Sequence, residues 1–83
     1  MLTFLNNKLK ELGYFKGEDI EFLGAYSWEK PLPEPYSAYT RMIIYDKKRM
    51  QVFDYAGQEQ HVIFSGTVEK EKEFMMLIKM LDL

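Results

Sequence analysis

The residue types that most often carry out catalysis are scarce in this chain. His61 is the one histidine and there is no cysteine, so a Cys–His pair and a thiolate metal site are both impossible. Ser65 lacks the glycine that precedes the serine of a nucleophile elbow, because Ile63 stands in that place. Neither glycine-rich phosphate-binding motif is present. The sequence therefore predicts no catalytic residue and a protein that is not an enzyme.

Acidic residues are the remaining candidates for a metal site. Glu18, Asp19 and Glu21 lie close together, but they do not have the ligand spacing of an EF-hand. A short run of like charges is typical of a solvated loop. We therefore expect no metal site and no cofactor, and nothing in the sequence indicates a small-molecule substrate.

Aromatic residues flank a proline-rich segment. Prolines at positions 31, 33 and 35 alternate with other residues, so the segment contains no P-x-x-P ligand motif, and it is predicted to be a stiff polyproline II-like connection. It brings Trp28, Tyr36 and Tyr39 close together in sequence. Such a cluster either covers the core or anchors a partner protein.

Periodicity predicts the elements that must position these residues. Leu2, Leu5, Leu9 and Leu12 recur at helical spacing, and Gly13 follows as a C-terminal cap, so residues 2–12 are predicted to be a helix. Alternating patterns predict strands over 20–28, 38–45, 49–55 and 61–66. A last helix is predicted from an N-cap at Thr67, with an apolar stripe formed by Phe74, Leu77, Ile78 and Leu81.

These elements predict one small α+β domain over residues 1–83. The expected fold is a four-stranded antiparallel meander sheet with the N-terminal and C-terminal helices packed on one face, in the order α-β-β-β-β-α. On the last helix, Met75, Met76 and Met80 widen the apolar surface. They either fill gaps in the core or form an adaptable edge for a partner.

Short turns fix the register of the central strands. A turn at Lys47 and Lys48 places Tyr45 opposite Met50, Ile43 opposite Val52 and Arg41 opposite Asp54, whereas the next turn places Asp54 opposite His61 and Phe53 opposite Val62. Alternation then sorts the side chains into two faces. The first carries Met42, Ile44, Phe53, Tyr55, Val62 and Phe64; the second carries Tyr39, Ile43, Tyr45, Val52 and Ile63 with the charged row Arg41, Asp54 and His61.

The charged row decides which face is predicted to be the core. Burying it under helices would require costly desolvation, so the first face is expected inside and the second outside. Asp54 is expected to accept from both Arg41 and His61. One added residue in the second turn would reverse the face of the last strand. The candidate partner-binding residues are Tyr39, Arg41, Ile43, Tyr45, Asp54, His61, Trp28 and Tyr36.

The composition limits which classes of partner and which cellular location are expected. The 83 residues carry a net charge of −2, which is not the basic balance of a dedicated duplex-binding domain. No run approaches the roughly 18 apolar residues of a membrane span, and Lys8, Lys10 and Glu11 interrupt any signal-peptide core. With no cysteine to form disulfides, a cytoplasmic location is predicted.

The composition, free of cysteine and rich in tyrosine and methionine, resembles that of many small bacteriophage accessory proteins. The resemblance implies a phage or mobile-element protein that assists or inhibits another protein by binding it. The predicted function is accordingly a protein-binding module that docks its open sheet face on a partner. Two alternatives remain: a weak single-stranded nucleic-acid-binding domain, with Tyr39 and Tyr45 stacking on bases and Arg41, Lys47, Lys48 and Arg49 along the phosphates, and a homodimer.

Overall fold

A computed structural model describes residues 2–17 and 25–83. The elements, in chain order, are α1 Leu2–Glu11, β1 Phe15–Lys16, β2 Ala25–Pro31, β3 Thr40–Asp46, β4 Arg49–Ala56, β5 Glu59–Thr67 and α2 Glu71–Leu81. The strands form one antiparallel sheet in the order β1-β2-β3-β4-β5. The predicted α+β class and meander order are confirmed, and the short β1 is a fifth strand that was not predicted from the sequence.

The ends of the first helix and the first long strand follow local chemistry. Gly13 has a φ of +92° and ends α1 as predicted, because glycine adopts this backbone conformation without a steric penalty. Of the strand predicted over 20–28, residues 20–24 lie outside the described residues. The rest belongs to β2, which continues past the predicted end and pairs through Pro31 with Thr40.

The predicted register between the central strands is confirmed, but the predicted core face is wrong. Arg41 pairs with Asp54, Ile43 with Val52 and Tyr45 with Met50. The face that the helices cover is nevertheless the one expected outside. Fully buried side chains of α1, α2 and the sheet meet there: Leu5, Leu9, Trp28, Ile43, Met50, Val52 and Phe74.

A bulge explains why the last strand splits its apolar residues between the faces. Val52 pairs with Phe64 and Phe53 pairs with Val62, so Ile63 is an extra residue on β5. The bulge puts Phe64 on the helix-covered face, where it packs against the core. Val62 stays on the other face and is 67% exposed.

The last helix begins later than the sequence predicted. Thr67 is the final residue of β5 rather than an N-cap, and Val68 is buried in the core. α2 starts after Lys70, and the Glu73 carboxylate accepts from the backbone N–H groups of Glu69 and Lys70 at 3.1 and 3.0 Å. This contact satisfies donors that have no intrahelical partner.

One side of α2 faces the core and another faces solvent. Phe74 is fully buried and meets the ring of Phe4 edge to face at 6.3 Å, while Leu77, Ile78 and Leu81 are partly buried as predicted. Met76 and Met80 are exposed, so they do not fill gaps in the core. Within the described ranges, neither helix is long and apolar enough to cross a membrane.

Candidate functional site

Three of the predicted partner-binding residues are core residues. Trp28, Ile43 and Tyr45 are at most 5% exposed, and the Tyr45 hydroxyl donates to the backbone oxygen of Val68 at 3.1 Å. They lie on the face that was predicted to be outside, but the helices cover that part of the face. These three residues stabilise the sheet and cannot contact a partner directly.

The other five line one cavity of about 370 Å³, together with Leu32. We call it the tyrosine–histidine pocket; its residues are Leu32, Tyr36, Tyr39, Arg41, Asp54 and His61. The register places Arg41, Asp54 and His61 side by side on three neighbouring strands, as the turn lengths predicted. The pocket is therefore the uncovered end of the face whose middle forms the core.

The connection between β2 and β3 supplies the other walls of the pocket. The backbone N–H of Tyr36 donates to Pro33 at 2.9 Å, and that of Tyr39 donates to Tyr36 at 2.9 Å. The predicted polyproline II-like connection is wrong, because that conformation contains no internal hydrogen bonds. Two hydrogen-bonded turns instead hold Tyr36 and Tyr39 beside the strands.

Arg41 and Asp54 form an ion pair that is largely buried. Nε and Nη2 of Arg41 donate to the two carboxylate oxygens at 2.8 and 3.2 Å, and the side chains are 12% and 16% exposed. Nη1 donates to the backbone oxygens of Leu81 and Asp82 at 3.3 and 3.2 Å. The hydrogen bond to Asp54 raises the pKa of Arg41, although burial opposes it. The guanidinium therefore stabilises the fold, and the Asp54 carboxylate neutralises its charge.

Glu59 contacts two aromatic rings of the pocket. Its Oε2 accepts from the Tyr39 hydroxyl at 3.2 Å, and its Oε1 lies 3.0 Å from Nε2 of His61. The rings of Tyr39 and His61 lie 6.0 Å apart at their centroids. The hydrogen-bond partner of His61 is thus Glu59, whereas the sequence had predicted Asp54. The hydrogen bond to Glu59, with its negative charge, raises the pKa of Tyr39, which favours a protonated hydroxyl.

Glu59 was not among the candidate residues predicted from the sequence. The available signal was its spacing of two from His61 on one strand, which puts both side chains on the same face. The strand was predicted to begin at His61, so this spacing was hidden. Strand β5 begins at Glu59.

The opposite face of the sheet, expected inside, carries a second apolar surface. Phe15 and Val62 are 71% and 67% exposed, whereas Phe53 between them is 9% exposed and lies 6.2 Å from the Tyr55 ring. The Tyr55 hydroxyl donates to Glu29 at 3.2 Å. Both described helices pack on the other side, so this face is the open one.

Residues 2–17 and 25–83 contain no group of three or more His, Asp or Glu side chains placed to hold a metal ion. The predicted acidic candidates Glu18, Asp19 and Glu21 lie outside those ranges.

Comparison with known proteins gives no relative from which a function could be inferred. No protein-family model matches the sequence, and neither a curated protein nor a solved structure matches it at a significant level.

Proposed function

We propose that this chain is a small, non-enzymatic protein-binding module that docks a partner protein at the tyrosine–histidine pocket. The observation that carries the proposal is that exposed aromatic side chains lie over a buried, hydrogen-bonded ion pair. Tyr36 is 62% exposed, whereas Arg41 and Asp54 beneath the same cavity are largely buried and fully hydrogen bonded to each other. Tyrosine anchors held by a preorganised scaffold lose little entropy on binding.

The docking surface differs from the one predicted from sequence. The middle of the predicted face is core, so the partner contacts its uncovered end and the β2–β3 connection. An accessory or inhibitory role, as the composition suggests, requires only such a contact. The cysteine-free sequence agrees with a reducing compartment, and we propose the cytoplasm.

Single-stranded nucleic acid is the weaker candidate, because its proposed binding residues are separated. Tyr45 is buried, and Arg41 donates to Asp54 and to the end of α2. Lys47 and Lys48 form the turn at the opposite end of β3 from Tyr39. Labelled single strands titrated at physiological salt should bind no tighter than about micromolar. Tighter binding that Tyr39→Ala weakens would favour nucleic acid over protein.

The test of the proposal compares two exposed side chains on different surfaces. Tyr36→Ala and Met80→Ala each remove a large side chain that is 62% and 72% exposed, respectively. The partner is first captured from native cell extract and identified by mass spectrometry, then titrated with each variant. Tyr36→Ala should weaken binding at least about fivefold, equivalent to about 1 kcal/mol, and Met80→Ala should leave it unchanged.

The opposite pattern, with Met80→Ala weakening the complex and Tyr36→Ala leaving it intact, would move the docking surface to α2 and contradict the proposal. Sedimentation of the protein alone tests the homodimer. A dimer that Tyr36→Ala dissociates would make a second copy the partner at the same pocket. A dimer insensitive to that change, with no heterologous partner, would also contradict the proposal.

A further inference from the structure

We propose that the tyrosine–histidine pocket receives a basic side chain, arginine or lysine, from the partner protein. This inference rests on the proposed function and adds the chemistry of the partner. It follows from the charge that remains in the pocket, from its aromatic walls and from its size.

The charge balance of the pocket leaves a carboxylate in excess. Arg41 and Asp54 neutralise each other through two hydrogen bonds. The remaining donors on Nη1 of Arg41 reach the backbone oxygens of Leu81 and Asp82. Glu59 does not line the cavity itself, but its carboxylate contacts the lining residues Tyr39 and His61 and is 59% exposed, so it adds a negative charge at the edge of the pocket. A cationic ligand complements this charge, whereas an anion would find the guanidinium already occupied.

Lys30, a second cation close to Arg41, is held away from the pocket by hydrogen bonds. Lys30 pairs with Arg41 in the β2–β3 register, but its ammonium donates to the backbone oxygens of Leu12 and Leu83 at 3.1 and 2.8 Å. Its ammonium also lies 4.7 Å from the centre of the Tyr14 ring. Lys30 is not among the residues that line the pocket.

The walls of the pocket provide aromatic faces and lone pairs. Tyr36, Tyr39 and His61 line it, and a cation within about 6 Å of a tyrosine ring is attracted to the ring face. The Tyr39 hydroxyl donates its hydrogen bond to Glu59, so its oxygen offers a ligand only lone pairs. A guanidinium or ammonium has donors and no acceptor, which matches this lining.

The size of the cavity favours one side chain over a larger ligand. Its volume of about 370 Å³ is near the lower limit of the roughly 300–1,000 Å³ found for ligand pockets. Leu32 adds an apolar wall against which the methylene stem of lysine or arginine can pack. Arginine should bind more tightly than lysine, because its planar guanidinium stacks on aromatic rings.

The direct test uses four capped amino acids as probes: the N-acetyl amides of arginine, lysine, norleucine and glutamate. Each is titrated into the full chain while the NMR signals of His61, Tyr36 and Tyr39 are followed. Arginine and lysine should shift these signals with dissociation constants of about millimolar, and norleucine and glutamate should bind at least about fivefold more weakly. Norleucine binding as tightly as lysine would make the pocket merely apolar and overturn the inference. Preferential binding of glutamate, or no shift with any probe, would overturn it as well.

A pair of charge-neutralising variants isolates the role of Glu59. Glu59→Gln should weaken arginine binding about threefold to tenfold. Glu69→Gln is the matched control, because Glu69 is also an exposed carboxylate, paired with Lys48 at 3.4 Å away from the pocket lining. Equal effects of the two variants would contradict a specific contact with Glu59.

The probes also separate this inference from the proposed function. If no probe binds but Tyr36→Ala still weakens the protein complex, the inference is wrong and the proposed function stands. If the basic probes bind but the protein complex does not respond to Tyr36→Ala, the pocket recognises basic groups and the proposed docking site is wrong.

Discussion

Arg41 ties the end of α2 to the sheet. It donates two hydrogen bonds to Asp54 on β4. It also donates to the backbone oxygens of Leu81 and Asp82, for which the helix provides no N–H donor because it ends there. A buried ion pair is tolerated where such hydrogen bonds compensate for desolvation. This compensation is the reason that a charged row can lie on the core side of the sheet.

Removing the Arg41 side chain should therefore destabilise the fold. Arg41→Ala leaves Asp54 largely buried without its partner, and the expected loss is about 3 kcal/mol of unfolding free energy, measured by urea denaturation. Arg41→Lys keeps the charge but cannot form the two parallel hydrogen bonds. Its unfolding free energy should lie between those of Arg41→Ala and the native protein. Lys47→Ala, at an exposed turn position, is the control and should change stability by less than about 0.5 kcal/mol. A fully stable Arg41→Ala variant would show that the pair contributes little.

Tyr14 should make stability depend on alkaline pH. Burial raises its pKa from 10.0 to about 12, although the nearby Arg41 guanidinium opposes the shift. A raised folded-state pKa contributes stability that is complete below pH 10 and is lost as the pH rises towards 12. Tyr14→Phe cannot ionise, so the stability advantage of the native protein over this variant should shrink across that window.

Unfolding free energies of the native protein and Tyr14→Phe, measured from pH 9 to pH 12, test this expectation. Tyr36→Phe, which removes the hydroxyl of an exposed tyrosine, provides the comparison. An advantage that stays constant with pH would contradict the link between Tyr14 burial and alkaline stability.

At the scale of elements, α2 has one side that stabilises the domain and one that does not. Phe74 is fully buried, so Phe74→Ala should cost about 3–5 kcal/mol. Met80 is 72% exposed on the same helix, and Met80→Ala should cost less than about 0.5 kcal/mol. Urea denaturation of the two variants measures the difference. Comparable losses would place Met80 in a packed environment.

At the scale of the whole molecule, the fold should not depend on a bound ion. The part of the chain that the structure describes has no group of three or more potential ligands among His, Asp and Glu. EDTA should consequently leave the thermal melting temperature unchanged. A decrease that one divalent cation reverses would contradict this prediction and direct attention to Glu18, Asp19 and Glu21.

Much of the architecture was determined by the sequence itself, because local periodicity and turns encode it. Leucine spacing and Gly13 defined the first helix, and the turn at Lys47 and Lys48 set the register of the central hairpin. The same register brought Arg41, Asp54 and His61 together. The buried position of Phe74 followed from helical spacing alone.

Only the tertiary structure decided which face of the sheet is inside. Both faces carry large apolar residues, so alternation could not distinguish them, and the charged row pointed to the wrong answer. The cost of burying Arg41 and Asp54 depends on hydrogen bonds to each other and to the last residues of α2, which are distant in sequence. The bulge at Ile63 likewise depends on pairing with β4 and has no local signal. A desolvation penalty can be judged only when the partners that compensate for it are known, and those partners are brought together by the fold.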